Sequence, residues 1–166
     1  LDNSRFIRSV DIWISENPNA VGRAIYGAVL NSAGTIVGES PSYTITNADL
    51  GNWVRFPIET LPVGSGNPPP LVSNADFYAG AALPSNSTTY NPLGLQDETP
   101  TRQGAFYNGS ILGGAIPSDL SSFNFGRYGI RAEIGGMNIE LVEISEIGLT
   151  GCVNANQTIT AVIKNI

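Results

Sequence analysis

The sequence predicts an all-β domain, a jelly-roll-like antiparallel β-sandwich with one short helical turn and long loops. Short segments alternate apolar and polar residues with a period of two, which is the pattern of half-buried strands. No segment shows the 3.6-residue period of a long helix. Glycine (19 residues) and proline (11 residues) interrupt the 166-residue chain often, as the turns of a sandwich require.

The strands are predicted in order along the chain. Residues 10–15 alternate most clearly, with Val10, Ile12 and Ile14 on one face. Residues 24–30 and 35–38 form a hairpin around the turn at 31–34. Further strands are predicted at 43–45, 53–58, 76–82, 105–107, 123–133 (with a bulge near Gly126), 138–147 and 157–163.

One helical turn interrupts this pattern at residues 46–51. Thr46 or Asn47 can cap the turn through a side-chain oxygen, and Gly51 can end it in the left-handed conformation. In the following strand, Val54, Phe56 and Ile58 share one face, and Trp53 and Arg55 share the opposite face. Pro57 lacks a backbone donor, which predicts an edge strand or a strand end.

Long loops and the C-terminal strand set the domain organisation. Residues 62–74, 84–104 and 113–122 are predicted loops, and loops of this length on a β scaffold often carry function. We expect one domain over residues 1–149. Residues 150–166 either complete its sandwich or begin the next module.

Charge and composition exclude several classes of partner. Eight basic and 14 acidic residues give a net charge of -6, so binding to nucleic acid or to an anionic membrane surface is not expected. No apolar stretch reaches the ~18 residues of a membrane span. A chain without His and with only Cys152 cannot build a zinc site. Cys152 is either an idle thiol or half of a disulfide with a partner outside this chain.

The order of these features resembles a known family. VDIWIS is followed by AGTIVGES, YTIT, ADLGNWVRFPI, DFYAGAAL and FNFGRYGIRAEI. This order is similar to jelly-roll modules of large surface proteins that Bacteroidetes export through the type IX system. The similarity covers roughly residues 5–135 and implies an extracellular, cell-surface module, but no reaction. The chain departs from the pattern in its Pro68-Pro69-Pro70 insertion and lacks the expected C-terminal sorting segment, which favours a fragment or a processed product.

Catalysis is not predicted. A serine nucleophile has no His to act as base, and the single lysine, Lys164, lies at the end of the chain. Glu140, Glu143 and Glu146 recur every three residues, so on a strand they alternate between faces and do not form the acid pair of a glycosidase.

Carbohydrate binding is one candidate chemistry, because sugars stack on exposed aromatic side chains flanked by polar groups. Trp13 and Trp53 share the outward parity of their strands, with Asp11 beside Trp13. The candidate ligand-binding residues are Trp13, Trp53, Arg55, Tyr78 and Tyr90, with Tyr107 as a further loop-side tyrosine. The alternative is that both tryptophans are structural; the loops around residues 91–97 and 116–122 then become the candidates.

No cofactor is required, but a structural calcium ion is a hypothesis. Calcium prefers six to eight oxygen ligands, which polar loops supply. The candidate ligands are Asn74, Asp76, Asp97, Glu98 and Asp119, although they match no calcium-binding motif.

Together these observations predict a non-catalytic, extracellular adhesion or display module of a bacterial surface protein. Its expected partner is a surface glycan or a neighbouring module of a longer protein. Two alternatives stay open. One is a filament subunit that assembles by strand addition through residues 157–163. The other is a carbohydrate-binding module attached to a secreted hydrolase.

Overall fold

Strands are the main regular structure of the described residues, as the alternating sequence predicts. The computed structural model describes residues 5–72, 76–84, 92–97, 100, 102–104, 106–109, 115–120, 122, 126–136, 139–145 and 160–165. Single 3₁₀ turns lie at Pro18–Ala20 and Asn47–Asp49. The strands β1–β14 are, in order, Arg5–Trp13, Ala24–Asn31, Ile36–Glu39, Tyr43–Thr44, Trp53–Pro57, Leu71–Val72, Phe77–Ala82, Leu95–Gln96, Tyr107–Asn108, Ser118–Asp119, Arg127–Tyr128, Ile130–Gly136, Ile139–Ser145 and Thr160–Asn165.

Two four-stranded antiparallel sheets face each other. In the first sheet β1 lies between β12 and β5 and also pairs with β6. In the second sheet β2 pairs with β3, β4 and β7. A Cβ atom on Gly27 of β2 would lie 3.0 Å from side-chain atoms of Phe56 and Ile58. The two sheets therefore pack closely at this point, as in a β-sandwich.

The core lies between these sheets and comes from alternate residues of each strand. Val10, Ile12 and Ile14 are completely buried, and so are Ile25 and Val29 of the second sheet. Phe56 and Ile58 join the same cluster, and the partly buried Phe77, Ala79 and Ala81 of β7 pack against it. The predicted all-β sandwich is confirmed; its jelly-roll connectivity stays a prediction.

The structure adds strands where the sequence predicts loops. β6, β8 and β10 are each two residues long and lie within the predicted loops 62–74, 84–104 and 113–122. A two-residue strand is too short to show an alternation, so the sequence pattern could not reveal it. β1 begins at Arg5 rather than Val10, because Arg5, Arg8 and Ser9 conceal the apolar pattern.

The turn before β5 sets the register of the two tryptophans. Thr46, one of the two predicted cap residues, is its N-cap residue, and Gly51 has the predicted left-handed conformation (φ +67°). The Asp49 carboxylate accepts hydrogen bonds from the backbone N–H and the hydroxyl of Thr46, both at 2.7 Å. Gly51 N then donates to Ile14 O (3.1 Å), and Ile14 N donates to Asn52 O (3.0 Å). These bonds align β5 with β1 so that Trp53 lies opposite Trp13.

The C-terminal residues form a unit of their own. The chain divides into Leu1–Gly135 and Gly136–Ile166. In the second unit β13 and β14 pair as antiparallel strands, with an irregularity between Leu141 and Glu143. Cys152 lies outside the described residues, and the predicted domain boundary at 149/150 stays a prediction.

We expect Ile12→Ala to lower the free energy of unfolding by about 2–5 kcal/mol, because it removes a fully buried side chain and leaves a cavity. Urea unfolding measures this change. Ile116→Ala is the matched control: Ile116 is 62% exposed, and surface substitutions change stability by about 0.5 kcal/mol or less. Equal losses in the two variants would contradict the assigned core.

We expect the contribution of Asp49 to stability to depend on pH. Burial acts to raise the pKa of Asp49, but hydrogen bonds from Thr46 and Tyr43 outweigh it and hold the pKa below its ordinary value of 3.8. Because the folded-state pKa is the lower one, this stabilisation is complete above the unfolded pKa. It is lost as pH falls through the folded pKa.

The measurement is the difference in unfolding free energy between the wild type and Asp49→Asn, followed from neutral to acidic pH. Asp97→Asn, at an exposed loop carboxylate, serves as the control. If the difference in unfolding free energy between the wild type and Asp49→Asn stayed constant into the acid range, these hydrogen bonds would not have the proposed role.

Candidate functional site

The outer face of the first sheet gathers aromatic and charged side chains from three strands. We call it the tryptophan face; it consists of Ser9, Asp11 and Trp13 of β1, Trp53 and Arg55 of β5, and Arg131 and Glu133 of β12. Inward-facing neighbours fill the core, so alternation along each strand directs these residues outward.

Two tryptophans form one end of this face. Trp13 and Trp53 are directly opposite each other on β1 and β5. Their ring centroids are 5.6 Å apart with an interplanar angle of 72°, an edge-to-face contact. Trp13 is half-buried, whereas Trp53 is 41% exposed. Such a pair stabilises the sheet by about 0.5–1.5 kcal/mol beyond its buried area.

Two glycines make room for the Trp13 side chain. Trp13 N donates to Gly129 O (2.7 Å), and Gly94 N donates to Trp13 O (2.8 Å). A Cβ atom on Gly94 would lie 1.9 Å from Trp13 Cδ1, and one on Gly129 would lie 2.4 Å from Trp13 Cβ. Neither glycine can therefore be replaced without moving the indole.

An ion-pair network continues the face beside the tryptophans. Arg55 donates to Asp11 through Nε (2.9 Å to Oδ1) and Nη2 (3.3 Å to Oδ2). Its Nη1 lies 2.9 Å from Glu133 Oε2, which also accepts a hydrogen bond from Ser9 Oγ (3.0 Å). The hydrogen bond to Asp11, together with the charges of Asp11 and Glu133, raises the pKa of Arg55. Three strands are therefore joined by a single guanidinium.

Arg131 connects the charged and aromatic parts of the face. Its guanidinium carbon lies 3.8 Å from the centroid of the Trp53 ring, well within the range of a cation–π interaction. Its Nε lies 3.6 Å from Asp11 Oδ2. The side chain of Arg131 is 59% exposed, whereas that of Asp11 is only 14% exposed.

The structure brings together Trp13, Trp53 and Arg55 of the predicted binding residues, with Asp11 beside them. Sequence analysis missed Arg131 and Glu133. They alternate outward in the segment FNFGRYGIRAE, but nothing local indicates that this strand pairs with β1, more than 100 residues earlier.

The other two predicted binding residues do not join this face. Tyr78 lies in the second sheet, where its ring contacts Tyr107 at 5.0 Å between centroids. The outer face of that sheet is largely apolar, with Ala28, Leu30 and Ala82 buried. Tyr90 lies outside the described residues.

The predicted calcium ligands are only partly described. Asn74 and Glu98 lie outside the described residues, Asp76 and Asp97 are exposed, and Asp119 accepts a hydrogen bond from Gly104 N (2.7 Å). Within the described part of the chain, no three acidic or cysteine side chains gather closely enough to hold a metal ion. Calcium binding stays a prediction.

Comparisons with family models, curated proteins and solved structures find no significant match to this chain. The resemblance to surface-protein modules therefore stays a prediction. No helix among the described residues is long and apolar enough to cross a membrane.

We expect Gly94→Ala to lower the free energy of unfolding by about 1–3 kcal/mol, because the new methyl group would overlap the Trp13 ring. Tryptophan fluorescence should change as the indole is displaced. Gly80→Ala is the matched control, since a Cβ atom at Gly80 would meet nothing within 4 Å. If both variants kept wild-type stability and fluorescence, the assigned packing of Trp13 would be wrong.

Proposed function

We propose that this domain is a non-catalytic, extracellular binding module of a bacterial surface protein, which recognises carbohydrate through the tryptophan face. The observation that carries the proposal is the 41% exposure of Trp53 within a contiguous aromatic and charged surface. Exposed aromatic surface of this kind often marks a binding site.

The energetics of the exposed indole support the proposal. A tryptophan can bury 150–250 Å², so leaving two-fifths of Trp53 in solvent forgoes roughly 2 kcal/mol of hydrophobic stabilisation. A sugar ring that covers this surface with its C–H groups recovers part of that energy. Its hydroxyl groups find donors and acceptors in the adjacent Arg55 and Glu133 side chains.

The rigidity of the face supports the same function. Arg55 bonds to Asp11 and Glu133, and Trp13 is held between Gly94 and Gly129. Side chains that are ordered before a ligand arrives lose little further entropy on binding. A module with such a face could serve adhesion, or could accompany a secreted hydrolase; its contacts with the glycan would be the same.

We expect the isolated domain to bind glycans on an array and Trp53→Ala to lose at least about tenfold in affinity, because the exposed indole contact is removed. The array is run with and without calcium, which also tests the predicted ion. Tyr78→Ala is the comparison variant, since Tyr78 was a binding candidate but lies in the other sheet.

Circular dichroism of each variant separates loss of binding from loss of fold. Binding that survives Trp53→Ala and disappears in Tyr78→Ala would move the site to the second sheet. Absence of binding to any glycan would overturn carbohydrate recognition as the function.

A further inference from the structure

The two arginines of the tryptophan face are equally exposed but differently paired. The exposed fraction of the side chain is 60% for Arg55 and 59% for Arg131. Arg55 engages Asp11 through two nitrogens and Glu133 through a third. Among the described residues, the one carboxylate within reach of Arg131 is Asp11, at 3.6 Å, a distance too long for a hydrogen bond.

Asp11 is hydrogen-bonded to Arg55 rather than to Arg131. Its two carboxylate oxygens already accept hydrogen bonds from Arg55, and its side chain is only 14% exposed. The remaining carboxylate of the face, Glu133, bonds to Arg55 and to Ser9. Among the described residues, then, Arg131 has no hydrogen-bonded carboxylate partner, although its five N–H donors form a fork suited to one.

Trp53 holds this guanidinium in place. The distance of 3.8 Å between the Arg131 guanidinium carbon and the ring centroid fixes the cation on the aromatic surface. An arginine that is already positioned loses less entropy when it forms paired hydrogen bonds. The site is thus a guanidinium stacked on the ring of a partly exposed indole.

We propose that the ligand of the tryptophan face is an acidic polysaccharide, in which the carboxylate of a uronic acid pairs with Arg131 while the sugar ring contacts Trp53. This inference rests on the proposed carbohydrate-binding function and adds the class of sugar. A guanidinium binds a carboxylate through two parallel hydrogen bonds. In a uronic acid the carboxylate is attached directly to the pyranose ring, so one sugar unit can reach both the cation and the adjoining indole.

Local charge is consistent with this ligand although the chain carries a net charge of -6. The charges of Asp11, Glu133, Arg55 and Arg131 sum to zero, so the face itself is not negative. Among the described residues, Arg131 is the one of its two cations without a hydrogen-bonded carboxylate, and a ligand carboxylate can take that place. Exposed charges more than about 10 Å away are largely screened at physiological salt. The net charge therefore lowers the affinity without removing the local attraction.

The test compares polygalacturonate with the same polymer after its carboxyl groups have been reduced to alcohols, by isothermal titration calorimetry. The two polymers share their backbone and differ in charge. We expect the wild type to bind polygalacturonate, alginate or hyaluronan at least about tenfold more tightly than a carboxyl-reduced counterpart, because a charge-assisted bidentate pair is lost. Arg131→Gln should abolish this preference, and Arg131→Lys, which keeps the charge but not the fork, should retain only part of it.

Arg102→Gln is the matched control, because Arg102 also lies over an aromatic ring, that of Phe106 at 5.6 Å, but outside the tryptophan face. It should keep the wild-type preference. Circular dichroism and urea unfolding verify that Arg131→Gln folds normally.

Three results would overturn the inference while leaving carbohydrate recognition intact. They are equal binding of acidic and reduced polymers, an unchanged preference in Arg131→Gln, and equal or tighter binding of a sulfated polymer such as dextran sulfate. Binding of neutral glycans without binding of acidic ones would also overturn the acidic ligand and leave carbohydrate recognition intact. Failure to bind any glycan, acidic or neutral, would instead overturn the proposed function itself.

Discussion

The central position of β1 in its sheet is the constraint on which the rest of this domain depends. β1 has strands on both sides, β12 and β5. Its residues Val10 and Ile12, and Ile14 directly after it, are completely buried. A shift of one residue would place Asp11 and Trp13 in the core and expose the aliphatic side chains. Burying an unpaired carboxylate costs several kcal/mol, so the packing of the core determines which side chains face outward.

The register of β1 also determines which side chains lie next to each other on the outer face. Once the register of β1 is set, Asp11 lies opposite Arg55 and Trp13 opposite Trp53. Because both pairs belong to hydrogen-bonded strands, their side chains are held at fixed distances without needing loops. The result is a surface of mixed aromatic and charged character, ordered by the pairing of its strands.

The loop residues contribute to this surface mainly by supporting it. Leu93 forms an isolated antiparallel β-bridge with Ile14. The next residue, Gly94, donates its backbone N–H to Trp13 O. Gly129, directly before β12, accepts a hydrogen bond from Trp13 N. Its own N–H donates to Gly94 O (2.9 Å). Both glycines leave space for the indole. The loop around residues 91–97 was expected to carry recognition if the tryptophans were buried. Instead, Leu93 and Gly94 of this loop support the backbone at Ile14 and Trp13.

The sequence by itself determined the fold class, the inward and outward faces of the early strands, the capped turn before β5, and Trp13, Trp53 and Arg55 as candidates. Each depends on local rules, namely the period of two along a strand and the chemistry of turn residues. Only the tertiary structure decided that β12 pairs with β1 and brings Arg131 and Glu133 to the same face. It also decided that Tyr78 lies on the other sheet. Pairing between distant strands depends on how whole sheets pack, which no local pattern of residues specifies.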